Sequence, residues 1–171
     1  MRNKFLLLYA WSIRTVLFFF PDIPILMRFR GFMYALGMKS CGIDFQVTHD
    51  VVIRGLQNIN AGNNIFVGNH CVIMGSGEIF IGNEVLIAPH VVIISGNHTK
   101  FKNSYRYGNG KPNIGTISIG EGGWICSNCT ISMNSSLPSG SVLSANSFLN
   151  KKFEITNAVY GGVPAKMIKH D

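Results

Sequence analysis

Ile119-Gly120-Glu121-Gly122-Gly123-Trp124-Ile125-Cys126-Ser127-Asn128-Cys129-Thr130-Ile131 opens a stretch, continuing to Leu149, that repeats every six residues. Aliphatic residues stand at Ile119, Ile125, Ile131, Leu137, Leu143 and Leu149. The fifth residue of each hexad is small: Gly123, Cys129, Ser135, Ser141 and Ser147. An amphipathic helix repeats near 3.6 residues and a strand every 2, so neither fits. A parallel β-helix does, because each hexad makes one side of a prism and turns its first residue into a shared core.

Outward from that block the pattern continues. Ile81, Ile87 and Ile93 lead three earlier hexads, and Ala61, Val67 and Ile73 lead three more. Stacking hexads three to a coil gives the columns Ala61-Ile81-Ile119-Leu137, Val67-Ile87-Ile125-Leu143 and Ile73-Ile93-Ile131-Leu149. Every column is aliphatic, as rungs about 4.8 Å apart require. An antiparallel sandwich would show two-residue alternation and hairpin turns instead. The reading divides the chain into an N-terminal, helical cap at 1–50, an all-β solenoid at 51–150 with an excursion at 99–116, and a C-terminal cap at 151–171.

With 47% apolar and 13% charged residues among 171, the chain can bury a real core and is not disordered. The net charge of +7 favours anionic partners. Nucleic acid is not among those expected: basic residues gather near the termini, and no zinc-finger, RNA-binding or basic-helix pattern is present. Cys126 and Cys129 form a CxxC without a second pair, and both have places in the hexad, so they read as structural. Without a disulfide framework the expected compartment is the cytoplasm.

Residues 1–40 interleave Phe5-Leu6-Leu7-Leu8-Tyr9 and Val16-Leu17-Phe18-Phe19-Phe20 with Arg2, Lys4, Arg14, Arg28 and Arg30. Arg14 and Pro21 interrupt the apolar run before the roughly 18 residues a spanning helix needs. A signal peptide would leave a small-x-small cleavage site, and none follows. Two readings stay open. The segment caps the first coil and rests on an anionic membrane surface, peripheral to the inner face of the plasma membrane, or it caps the coil and buries its aromatics in an oligomer.

Further motifs carry chemistry. They are Ile81-Gly82-Asn83-Glu84-Val85-Leu86-Ile87-Ala88-Pro89, His98 before the excursion, Trp124-Ile125-Cys126-Ser127, and Gly162-Val163-Pro164-Ala165-Lys166. Together, over roughly residues 56–169, the chain resembles the hexapeptide-repeat acyltransferases, within them the sugar O-acetyltransferases that include galactoside and maltose acetyltransferases. The resemblance implies a left-handed β-helix, a homotrimer, and acetyl transfer from acetyl-CoA in grooves between subunits. It casts His98 as the catalytic base. An imidazole suits removal of a hydroxyl proton at neutral pH. It casts Ser127 and Ala145 on the pantetheine arm, Asn150 and Lys151, after the last coil, as further donor contacts, and Lys166 near the adenine and 3′-phosphate. Asn150 stands where the family has Thr, which weakens that carry-over. Asn69 and Trp124 match acceptor-side positions. Tyr105 and Tyr107 on the excursion offer faces for stacking on sugar rings. The greasy, basic N-terminus points to a saccharide or lipid-linked saccharide acceptor used in making surface polysaccharide, capsule or O-antigen.

Two rivals remain. His70 and His90 share a hexad position one coil apart and, with His98, invite comparison with the γ-class carbonic anhydrases; their spacing departs from that class, and no metal is expected. The other rival is a β-helix scaffold without activity.

Overall fold

The computed structural model describes residues 2–105 and 112–170. It is a left-handed parallel β-helix of about six turns, closed at its N-terminal end by two helices. Strands stack into three parallel faces. The first face runs Ser40–Cys41, Ile59–Ala61, Ile79–Ile81, Ile117–Ile119 and Ser135–Leu137. The second runs Phe45–Val47, Ile65–Val67, Leu86–Ile87, Trp124–Ile125, Val142–Leu143 and Ala158–Gly161, with Lys166–His170 added antiparallel at its end. The third runs Val52–Arg54, Val72–Met74, Val92–Ile94, Thr130–Ser132 and Phe148–Leu149.

The strand register reproduces the hexad columns. Ala61 pairs with Ile81, Ile81 with Ile119, and Ile119 with Leu137. Val67, Ile87, Ile125 and Leu143 follow one another on the second face, and Ile73, Ile93, Ile131 and Leu149 on the third. Nearly all of these side chains are sealed from solvent, so the columns are the core. One more coil precedes them: Cys41 pairs with Ala61, Val47 with Val67, and Ile53 with Ile73. Its first two strands lie in the stretch that the repeat alone assigns to the cap.

Corners need a left-handed residue, and Asn is the commonest side chain to supply it, at little steric cost. Asn64, Asn128, Asn134 and Asn146 all take φ between 56 and 62°. His70 and His90 take it too, at 58° and 63°.

The cap is α1 (Arg2–Leu17) and α2 (Pro24–Ala35). Ala10 and Ile13 of α1 join the solenoid core, and the Tyr9 hydroxyl donates to Met33 O at 2.6 Å. Tyr34 is buried between the helices and the first coil; burial pushes its phenol up to about 12, against the opposing pull of Arg14 and Arg30. At the other end Phe153 stacks on Tyr160 with ring centroids 4.0 Å apart.

Candidate functional site

Strand order decides which side chains share an edge. Ser127 and Ala145 each follow a second-face strand, so both sit on the edge between the second and third faces, one coil apart. Asn146 N–H donates to Ser127 O at 3.1 Å, which fixes that stacking. Lys166 closes the same edge. Phe148 N–H donates to Gly162 O at 3.0 Å and Ala165 N–H to Phe148 O at 2.8 Å, which pins the turn that carries it. Ser127 is half-buried, while Ala145 and Lys166 are exposed. Trp124 projects from the second face beside this edge, 49% exposed, paired with the exposed Leu86.

His98 stands elsewhere. It follows Gly96–Asn97, which pairs antiparallel with Asn113–Ile114 and forms the base of the excursion, on the edge between the third and first faces. Ser95 anchors that base. Its hydroxyl accepts from Gly77 N–H at 2.9 Å and lies 2.8 Å from Gly77 O, while its carbonyl accepts from Gly115 N–H at 3.0 Å. Asn97 Oδ1 then takes the backbone N–H of His98 at 2.8 Å. The imidazole is exposed. Asn150 and Lys151, also exposed, follow a third-face strand and lie on this same edge two coils further on, with Lys151 Nζ 5.1 Å from the Phe153 ring centre. A single subunit therefore keeps His98 a full prism side away from Ser127 and Ala145, on the order of 15 Å for a hexad of near-extended chain. Tyr105 is exposed on the excursion; Tyr107 lies outside the described residues.

Near the N-terminal end, the Ser127 edge carries a cluster that sequence reading missed. Asn69 donates through Nδ2 to Asp22 Oδ2 at 3.1 Å. The same carboxylate pairs with Arg30 Nη1 at 2.8 Å and His49 Nδ1 at 2.7 Å, and accepts from His49 N–H at 2.9 Å. Arg30 is almost wholly buried, held also by the carbonyls of Phe20 and Val47. Burial alone would raise the Asp22 pKa, but hydrogen bonds from His49 and Asn69 bring it below the ordinary carboxylate value. Phe18, Phe19, Phe20 and Pro21 wall a cavity of about 280 Å³ over Asp22 and His49. A lone Asp inside a basic, apolar run was the available signal; its partners lie up to 47 residues away.

On the same two coils, His70 Nδ1 lies 2.8 Å from the buried Asp50 Oδ2, and its ring stacks on His90 of the next coil with centroids 4.8 Å apart and planes 25° apart. Lone pairs on near-parallel rings run side by side and do not converge on one ion. Among the described residues no group of three His, Cys, Asp or Glu is placed to hold a metal. Cys129 is buried at its hexad position, and burial pushes both its thiol and that of Cys126 up, away from a reactive thiolate.

No protein-family model matches the sequence, and no curated protein matches it. Solved structures do. A hexapeptide-repeat-containing acetyltransferase from Vibrio cholerae O1 biovar eltor, complexed with acetyl coenzyme A, superposes with a TM-score of 0.82 at 20% identity over 98% of this chain and 87% of that one. A maltose O-acetyltransferase from Clostridium difficile 630 gives 0.81 at 22% identity over 98% and 87%. A galactoside acetyltransferase in complex with coenzyme A gives 0.82 at 23% identity over 98% and 82%. At such identities the likeness is one of fold.

Proposed function

We propose that the chain is an O-acetyltransferase that moves acetyl from acetyl-CoA to a sugar hydroxyl and works as a homotrimer. One observation carries this reading: the donor-side positions Ser127, Ala145 and Lys166 line one prism edge, while His98 stands on another. Two edges that cannot meet within a prism can meet between neighbouring prisms, which completes the site in the groove between subunits. The fold neighbours that hold coenzyme A or acetyl coenzyme A support the choice of donor. Those acting on maltose or a galactoside support the saccharide acceptor.

In this scheme the extended pantetheine arm runs along the axial line of Ser127 and Ala145, with backbone groups as partners, and Lys166 supplies a point charge to phosphate. The Asp22-Asn69-His49 cluster and its cavity receive the saccharide on the same edge. Imidazole of His98, from the neighbouring subunit, takes the hydroxyl proton as the oxygen attacks the thioester carbonyl. The tetrahedral adduct then collapses with cleavage of the C–S bond, and the imidazolium returns the proton to the leaving thiolate. No acyl-enzyme is required, because the thioester is already activated.

The test is release of free thiol from acetyl-CoA against a panel of nucleotide sugars and lipid-linked oligosaccharides. His98→Ala is expected to lower turnover by about 10²–10⁴-fold with CoA affinity nearly unchanged. Turnover with none of these acceptors, alongside saturable CoA binding, would remove the acceptor assignment. Absence of CoA binding would favour the scaffold.

A further inference from the structure

At about 100° per residue, Met27, Arg30, Gly31 and Tyr34 fall on one side of α2, and Ile25, Phe29, Phe32 and Leu36 fall on the opposite side. The first set is buried. It covers the free backbone edge of Phe45–Val47, the outermost strand of the second face. Gly31 approaches so closely that an added Cβ would lie 1.6 Å from Phe45 O, and Arg30 Nη1 reaches Val47 O at 3.3 Å. Because α2 lies across that edge, its other side points out of the N-terminal end of the solenoid.

That outward side is apolar and open. Ile25 is 70% exposed, Phe29 47%, Phe32 58% and Leu36 63%. A cap that ended in water would carry polar residues there. The surrounding charge is one-sided. Residues 1–54 hold seven Lys and Arg against three Asp. Arg28 and Arg30 pair with Asp44 and Asp22 and Lys39 with Glu78, and the remaining basic residues are Arg2, Lys4, Arg14 and Arg54. Each Asp is turned to an internal partner: Asp22 to Arg30 and His49, Asp44 to Arg28, Asp50 to His70. Arg14 and Arg54 flank a cavity of about 270 Å³ between α1 and the third face whose lining includes no acidic residue.

We propose that the outward side of α2 is a docking surface for an anionic lipid bilayer, with the helix lying in the interface plane. α2 has 12 residues and α1 has 16, and no helix of the described residues is long and apolar enough to cross a membrane. An apolar stripe on a helix within a segment of basic excess is the composition of an interfacial helix. In a parallel trimer three such stripes face one way and bind together. The Asp22 cavity lies on the connection leading into α2, so docking holds it at headgroup level. This makes the acceptor a saccharide carried on a lipid, an extension that rests on the proposed transfer reaction; the docking itself does not.

Flotation of the full chain with phosphatidylcholine vesicles, with and without phosphatidylglycerol, tests the surface. Binding is expected to the phosphatidylglycerol vesicles and to weaken with added salt. Phe29→Ser with Phe32→Ser should lower the partition coefficient on the order of 100-fold, tenfold for each aromatic side chain. Ile25→Ser with Leu36→Ser, a second exposed pair, should act in the same direction, with thermal melts showing both variants folded. Thiol release with a soluble acceptor should be unchanged in both, so absence of that activity in the native chain would strike the transfer reading and leave the flotation result standing. The proposal is overturned if the native chain floats with neither vesicle or the variants float like it. It is equally overturned if the variants sediment as a smaller species than the native chain, since α2 would then be a contact between copies.

Discussion

The solenoid and its cap bury opposite kinds of surface. In the solenoid each inward aliphatic has an aliphatic above and below it: Ile87 lies between Val67 and Ile125, and Ile125 between Ile87 and Leu143. In the cap, the buried side of α2 sets a glycine and a charged arginine beside Met27 and Tyr34, while Ile25, Phe29, Phe32 and Leu36 face outward. The solenoid is therefore stabilised by repeated hydrophobic stacking, and the cap is attached by a few apolar side chains, Ala10, Ile13 and Tyr34, together with a close backbone approach and a hydrogen-bonded ion pair. Nearest-neighbour stacking spreads a perturbation along the coils, whereas the cap's contacts lie at one end and loosen there.

The largest expected effect tests the first half of that contrast. Ile125→Ala should cost about 4 kcal/mol in chemical denaturation, because the site is sealed on all sides and collapses little. Amide exchange should rise in the coils carrying Ile87 and Leu143 as well as its own. A cost near that of a surface substitution would mean the columns do not bear the fold.

Gly31→Ala tests the second half. The added methyl meets the backbone oxygen of Phe45, not a movable side chain, so α2 must lift. The expected cost is about 3 kcal/mol, with exchange rising in α1 and α2 and little changed in the coils beyond Val67. Uniform loosening would show the cap and solenoid to be one cooperative unit.

The same contrast explains what was legible in sequence. Hexad columns announce themselves because every coil repeats the same local demand, down to small residues such as Ser135, Ser141 and Ser147, which are buried at the fifth position. The first coil was hidden because Cys41 stands where later coils have an aliphatic or alanine leader, although Gly42-Ile43-Asp44 makes the same corner as Gly62-Asn63-Asn64 and Gly82-Asn83-Glu84, with glycine first and a left-handed residue third. The edge shared by Ser127 and Ala145 followed from counting hexads, as did the stacking of His70 on His90. The Asp22 cluster did not, since it joins a cap loop to two separate coils, and nothing periodic links residues 22 and 30 to the stacked positions 49 and 69. Spacing also could not tell that the apolar side of α2 faces out. Both sides of that helix contain apolar residues, and only the contact of Gly31 with Phe45 sets which one turns in.

The smallest expected effect sharpens the comparison through pH. Asp22 ties the cap to the solenoid by accepting from Arg30, His49 and Asn69. Its pKa is lowered on balance from an ordinary 3.8, although burial alone would raise it. A carboxyl depressed in the folded state contributes stability that is fully present above the unfolded value and disappears as pH falls through the folded one. Asp22→Asn should therefore cost about 2 kcal/mol near neutral pH, where it removes charge-assisted hydrogen bonds to the buried Arg30. The gap between native and variant chains should begin to narrow as pH drops below about 4 and keep closing under more acid conditions. Ile125→Ala contains no titrating group, so its cost should hold nearly constant across the same range. Denaturation midpoints for both variants at neutral and acid pH separate the two behaviours. Parallel shifts would mean the cap is held by packing alone, and that the carboxylate at Asp22 has no part in fastening it.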